Sequence, residues 1–331
     1  MACKAAPARY YWGMSLQVSL VVMALSLPGF DGQFRFSPQG LEVISPLGRP
    51  LFAAPPTSSR DRLEKDLNEA RALLAEKPDD PQRIVWVGRR LGYLWRMNEA
   101  IDVFSDGIRK HPGFALLYRH RGHRYISVRR FDDAIRDLEI AAKLIRDRPD
   151  EIEEDGAPNS ANIPLTTTGF YVWYHLGVAR YLKADYEGAL TAFRECLKFT
   201  RGFDDNLVAV TDWTFMTLRR LKRDEEAAKV LQPIHADMKM IENGAYHRRC
   251  LLYKGLLKPD EIIGATAIEL NVATSGYGLG NWYLVNGDIV RAKEVFERVV
   301  VGPYWPAFGF IAAETDLARL KKSEGAAISR P

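Results

Sequence analysis

A glycine and an alanine twelve residues apart recur along this chain of 331 residues. Gly88 precedes Ala100, Gly122 precedes Ala134, Gly177 precedes Ala189, and Gly280 precedes Ala292. Four residues past each alanine stands a large apolar side chain: Phe104, Leu138, Phe193 or Phe296. Three residues past each glycine stands Leu91, Tyr125, Arg180 or Tyr283. Two helices crossing closely would need this pattern. The missing or minimal side chains let the backbones approach, and the large group fills the gap beside them. Turns near Met97–Asn98, Arg130, Lys183–Ala184 and Asn286–Gly287 divide each unit into two helices. One such pair cannot bury its apolar face alone, so neighbouring pairs must stack.

These positions resemble the tetratricopeptide repeat (TPR) family, whose pattern is Trp-x2-Leu-Gly-x2-Tyr, then Ala-x3-Phe, then Pro. Trp173, Leu176, Gly177, Ala189 and Phe193 match, with Arg180 in place of Tyr. Leu279, Gly280, Tyr283, Ala292 and Phe296 match as well. Gly88, Ala100, Phe104 and Pro112 match, with Ile84 for Trp; Tyr118, Gly122, Tyr125, Ala134 and Ala141 match, with Arg121 for Leu. A fifth, degenerate unit is anchored on Ala227 and Leu231, with Phe215 in place of its glycine. The resemblance implies an all-α, right-handed TPR superhelix over residues 80–322, with repeats at about 81–114, 115–148, 170–203, 208–241 and 273–306. Leu63, Leu67, Ala70 and Leu74 predict an N-terminal capping helix within 58–79, with Ser58 or Ser59 as cap and Pro78 as stop. A second capping helix is expected over 305–322, followed by a tail, 323–331.

The N-terminus reads as an export leader. Lys4 and Arg9 precede Leu16–Leu27, in which nine of twelve residues are apolar, and residues 1–30 hold no Asp or Glu. That apolar run is too short to span a bilayer as a helix. A signal peptide over 1–27 implies a periplasmic or extracellular protein; a cytoplasmic protein with an apolar tail is the alternative. Six Pro and four Gly within 28–56 predict an extended arm, 28–57, without regular helix or strand.

Between the second and third units the spacing widens by an insert, 149–169. Its first half is acidic (Asp150, Glu151, Glu153, Glu154, Asp155), and the preceding helix pair is basic (Arg119, Arg121, Arg124, Arg129, Arg130, Arg146, Arg148). The insert either folds back over this basic wall or remains a solvated loop. Residues 243–272 fit no regular repeat; Asn243-Gly244 reads as the close of one helix and Pro259 as the start of another.

In the family the first helix of each pair lines a concave groove. That places Arg89, Arg119, His120, His123, Tyr171, Tyr174, Tyr277 and Asn281 there as candidate peptide-binding residues, with His175 beside them. Guanidinium groups take carboxylates and tyrosines take apolar side chains. His120 and His123 have no third metal ligand in view. Gly276–Gly280 follows no strand, so it does not read as a phosphate loop. Cys196 and Cys250 are either buried thiols or a disulfide pair. A net charge of +4 excludes a general nucleic-acid binder, and no catalytic, cofactor or metal motif is legible. The expected function is a non-catalytic scaffold holding a peptide or partner segment, which can carry acidic groups, without stable membrane insertion. The alternatives are a cell-envelope assembly factor acting through its convex face, or an accessory subunit of an enzyme.

Overall fold

The computed structural model describes residues 40–55, 57–156, 159, 161–263 and 269–328. The expected leader and the first part of the arm, 28–39, lie outside them. Residues from 39 onward form one compact unit. It holds thirteen α-helices among the described residues. They are α1 (Thr57–Glu76), α2 (Pro81–Tyr93), α3 (Met97–Lys110), α4 (Ala115–Ser127), α5 (Phe131–Ile145), α6 (Thr168–Leu182) and α7 (Tyr186–Cys196). Then follow α8 (Asp204–Arg220), α9 (Asp224–Val230), α10 (Gly244–Tyr253), α11 (Glu269–Val285), α12 (Ile289–Val301) and α13 (Phe308–Ile328). The fold is all-α, a stack of TPR-type helix pairs. None of these helices is long and apolar enough to cross a membrane.

The glycine and ring pairing is direct. Gly88 lies against the Phe104 ring, Gly177 against Phe193 and Gly280 against Phe296, while Gly122 lies against Leu138. Ala100, Ala134, Ala189 and Ala292 are fully buried at the same crossings. A Cβ on Gly280 would stand 2.5 Å from Phe296 Cε1, and one on Gly122 2.8 Å from Leu138 Cγ. Both are inside van der Waals contact, so only glycine permits the approach.

Each pair turns through one left-handed residue: Trp95, Arg129, Ala184, Lys222 and Gly287, with φ of 60°, 62°, 65°, 59° and 86°. Two residues' amides then point back into the helix just ended. Arg96, Arg130, Asp185, Arg223 and Asp288 donate to the carbonyls of Leu91, Tyr125, Arg180, Leu218 and Tyr283 at 2.8–3.0 Å, the Schellman pattern. Four of the five turns make it without glycine. Helix starts are capped locally: Asp80 accepts from Gln82 N at 2.9 Å ahead of Pro81, and Asp185 accepts from Gly188 N at 3.0 Å.

Three expectations need correction. First, the arm carries an antiparallel hairpin, β1 (Leu41–Ile44) and β2 (Pro50–Phe52). The breakers punctuate rather than prevent it: Gly48, at φ +78°, sits in the turn, and Pro50 opens an edge strand. Second, Asn243-Gly244 opens α10 instead of closing a helix, and the fifth unit's second helix, α9, is only seven residues long. The Phe215 ring fills the space a glycine would leave, and it stacks on Tyr253 of α10 with centroids 4.3 Å apart and planes at 12°. Third, α13 runs through most of the expected tail, to Ile328.

The two ends of the unit meet. Trp305 Nε1 donates to Phe52 O at 2.9 Å, Arg49 donates to Val300 O, and Asn98 bonds both Glu42 Oε2 and Glu42 O at 2.8 Å. Trp95 packs edge-on against Tyr304 and Trp305, with centroids at 5.7 and 5.8 Å. Helix α13 also returns to the earlier pairs. Arg129 holds Glu314 at 2.8 Å, and Arg319 donates to Leu182 O.

A methyl group at the crossing must displace a ring, so Gly177→Ala should lower stability by about 1–3 kcal/mol. Ala184 is exposed and left-handed, so Ala184→Gly should raise stability by about 0.5–1 kcal/mol. Urea denaturation of both variants checks these opposite signs.

Candidate functional site

The insert folds back. Ile152 pairs with Thr167 in an antiparallel bridge, flanked by Glu153 N to Thr166 O at 3.2 Å and Thr168 N to Glu151 O at 3.0 Å. This strap lays residues 153–156 over the first helices of two pairs. Arg89 Nη1 donates to Glu154 O at 2.8 Å, and Arg90 Nη1 donates to Gly156 O at 3.0 Å. The Glu153 carboxylate is 6% exposed and meets Arg119 Nη2 at 3.0 Å and His120 Nε2 at 3.3 Å. Three more arginines of the basic wall have other partners. Arg121 pairs with Asp137, Arg130 with Asp133, and Arg129 with Glu314.

Beneath the strap is a chamber of about 140 Å³, lined by Arg89, Tyr93, Arg119, His120, His123, Arg124, Glu153, Tyr171 and His175 among others. Five of the eight predicted site residues therefore converge here. Arg119 lies over the Tyr171 ring at 4.2 Å, and His123 stacks on His175 at 4.4 Å.

The hydrogen bonds fix the imidazole tautomers. Arg119 Nη1 donates to His120 Nδ1 and Arg124 Nη2 to His123 Nδ1, both at 2.7 Å. Nδ1 is therefore an acceptor in both rings, and Nε2 carries the proton. That orients His120 Nε2–H toward Glu153. His175 is the reverse: its Nδ1 faces the Tyr171 carbonyl at 2.7 Å, so Nδ1 carries the proton. Burial first, and then the neighbouring guanidinium groups, hold all three histidines neutral, well below the ordinary imidazole range. Burial likewise pulls Arg124 down to about 10 and pushes Tyr171 up to about 12.

The other three predicted residues lie elsewhere and do not line an open groove. Tyr174 is buried; its hydroxyl accepts from Trp213 Nε1 at 2.8 Å and donates to Tyr246 at 3.1 Å. Tyr277 and Asn281 are fully buried. Tyr277 bonds Tyr181 at 2.8 Å and Asp316 Oδ2 at 3.0 Å; Asn281 Oδ1 accepts from Arg220 Nε at 2.9 Å. Asp316, brought in by α13, also takes Arg220 at 2.5 Å and Arg319 at 2.9 Å. The chain's own strap and last helix thus engage the inward side chains expected to hold a peptide.

Sequence reasoning missed Glu314 and Asp316, whose partners Arg129 and Arg220 are more than ninety positions away. It also missed the fully buried Asp212–Arg249 pair at 2.8 Å, which no local pattern marks. Cys196 and Cys250 are free, buried thiols, and burial raises both well above the ordinary thiol range. No cluster of three or more His, Cys, Asp or Glu able to hold a metal occurs among the described residues.

A much larger cleft, about 980 Å³, opens where the insert separates the C-terminal end of α5 from the first turns of α6. Phe114, Leu116, Ile145, half-buried Trp173 and Phe199 supply its apolar lining. Lys143, Arg146 and Arg148 stand exposed on it; none has an ion-pair partner among the described residues.

No protein-family model matches the chain, and no curated protein does. Solved structures similar to it include a tetratricopeptide repeat protein from Parabacteroides merdae. It has 12% identity and a TM-score of 0.46, with 79% of this chain and 95% of that one covered. YrrB, described as a TPR protein with an unusual peptide-binding site, has 13% identity and a TM-score of 0.40 over 77% and 97% of the two chains. MamA has 13% identity and a TM-score of 0.40 over 64% and 92%. The TPR character of the fold is read from its own glycine and ring pairs.

An imidazole held neutral in the folded chain takes up a proton on unfolding below about pH 6.5. Below that pH the unfolded state binds more protons, so stability falls as pH falls, by about 1.4 kcal/mol per pH unit for each such histidine. His175 is 2% exposed and does not titrate until well below that range. His175→Asn removes one titrating group. Its stability deficit at pH 8 should narrow between pH 6.5 and 5.5 by up to that amount. Chemical denaturation at the three pH values reads it; a constant deficit contradicts the neutral imidazole.

Proposed function

We propose that this chain is a non-catalytic protein-interaction scaffold whose docking site is the α5–α6 cleft. The carrying observation is the contrast between two surfaces. The inward residues of the first helices are engaged by the strap and α13, whereas the cleft is open and has an apolar floor with half-buried Trp173 at its centre. A site of this kind takes the apolar face of a partner's amphipathic segment, anchored by one large side chain. Four cations (Lys143, Arg146, Arg148, Arg180) and four carboxylates (Glu139, Asp150, Glu151, Glu195) line it. The charges cancel, so the partner is selected by apolar contact and by charge pattern rather than by net acidity.

Export is part of the same proposal, resting on Lys4, Arg9 and the apolar run Leu16–Leu27. A fusion of residues 1–60 to a reporter active only outside the cytoplasm should be active, and Leu20→Arg/Val22→Arg should silence it. Activity in the double variant refutes the leader.

The docking site is tested by a photocrosslinking residue placed at Lys143 or Arg146 in cells. Either position should give a discrete adduct that the same probe at exposed Arg109 on α3 does not give. Lys143→Glu/Arg146→Glu, both exposed and therefore neutral for folding, should reduce recovery of the adducted partner about tenfold. Equal recovery removes the cleft from the function.

A further inference from the structure

The chamber under the strap contains a cation that has no counter-charge among the described residues. Arg124 Nη2 donates to the neutral ring of His123, and Nη1 lies 3.7 Å from Met97 Sδ. The carboxylates lining the chamber are Glu153, Glu154 and Asp155, and none of them reaches Arg124 within ion-pair distance. Glu153 is taken by Arg119 and His120, and Arg89 is bound to a backbone carbonyl. The guanidinium also cannot swing away on the α2 side, because its Nη1 packs directly over Gly92. Arg124 is half-buried, and a charge partly shielded from water with only neutral acceptors is destabilising unless something of opposite sign joins it.

We propose that the chamber is a binding site for a small oxyanion, of the size of inorganic phosphate or a short carboxylate, held chiefly by Arg124. The volume, about 140 Å³, exceeds the ~10–15 Å³ that one water needs, and it admits an ion of this size with water beside it. The donors suit it. Guanidinium groups grip oxyanions through paired N–H groups, and the tautomer of His123 leaves its Nε2 protonated as a further donor. His123 lines both this chamber and a neighbouring open pocket of about 330 Å³ formed with Tyr246 and Phe308. The proposal concerns a different place and a different ligand from the α5–α6 cleft, so either can fail alone.

The test uses the full chain with inorganic phosphate, and with malonate as the carboxylate probe, against sodium chloride at equal ionic strength. Phosphate or malonate should raise the melting temperature saturably, and chloride should not. Calorimetric titration of Arg124→Gln should show binding weakened by at least about tenfold. Without added anion, that variant should melt at or above the wild-type temperature, because an unpaired, half-buried charge has gone. Glu153→Gln, which removes a carboxylate from the chamber lining, should tighten binding, and this arm decides by itself if the Arg124 variant does not fold. The proposal is overturned if chloride stabilises as well as phosphate and malonate do. It is also overturned if Arg124→Gln binds like wild type, or if Glu153→Gln leaves the affinity unchanged.

Discussion

Each regular helix pair is held by a large side chain lying on a glycine, and the rest of the unit is arranged so that this contact can form. The left-handed residue at each turn, from Trp95 to Gly287, reverses the chain in the fewest residues. The second helix then starts in register, with its alanine and its large side chain facing the crossing. The fifth pair is a natural control. Phe215 stands where the glycine should be, the close approach is lost, and α9 stops after seven residues. Helix α10 supplies the missing surface, stacking Tyr253 on the ring that caused the break. Close approach, more than helix propensity, therefore decides whether a unit is completed.

The first helices carry unusual polarity for surfaces that end up inside. Arginines, histidines and tyrosines at these positions must find partners once water leaves, since a buried polar group without one costs about 1–3 kcal/mol and a charge more. Many of the partners come from two elements outside the repeat pattern. The strap brings Glu153 and two backbone carbonyls to Arg89, Arg90 and Arg119. Helix α13 brings Glu314 to Arg129 and Asp316 to Arg220, Arg319 and Tyr277. Charge complementarity between the acidic insert and the basic helices thus has a structural outcome, closure of the inward face. That outcome leaves the cleft beside the insert as an open surface.

The legible part of the fold is the part written in short range. Gly88, Gly122, Gly177 and Gly280 could be paired with their packing partners because a helix hairpin fixes both spacing and direction within about sixteen residues. The convergence of Arg89, Arg119, His120, His123 and Tyr171 was legible for the same reason, since first helices of successive pairs lie side by side. The occlusion of Tyr174, Tyr277 and Asn281 was not. It depends on Tyr246, Trp213 and Asp316, which approach through elements with no fixed spacing to them. Counting breakers in 28–56 likewise could not reveal the β1–β2 hairpin, because what stabilises it is Trp305, far along the chain.

Stacked repeats ordinarily touch only their neighbours, which makes them behave as one-dimensional arrays that open from either end. Here the first described segment and the last helices are joined. Phe52 accepts from Trp305, Arg49 donates to Val300, and Arg129 and Leu182 are tied to α13. Fraying of an end would therefore break contacts with the middle of the stack as well. The chamber benefits most from this closure. Its arginines and histidines are held in fixed rotamers by strap, ring stacking and tautomer-specific hydrogen bonds, so the geometry around Arg124 exists before any anion arrives. A set of donors fixed in that way loses little conformational freedom on binding, which is why the cost of one unpaired, half-buried charge is better understood as preorganisation than as a packing defect.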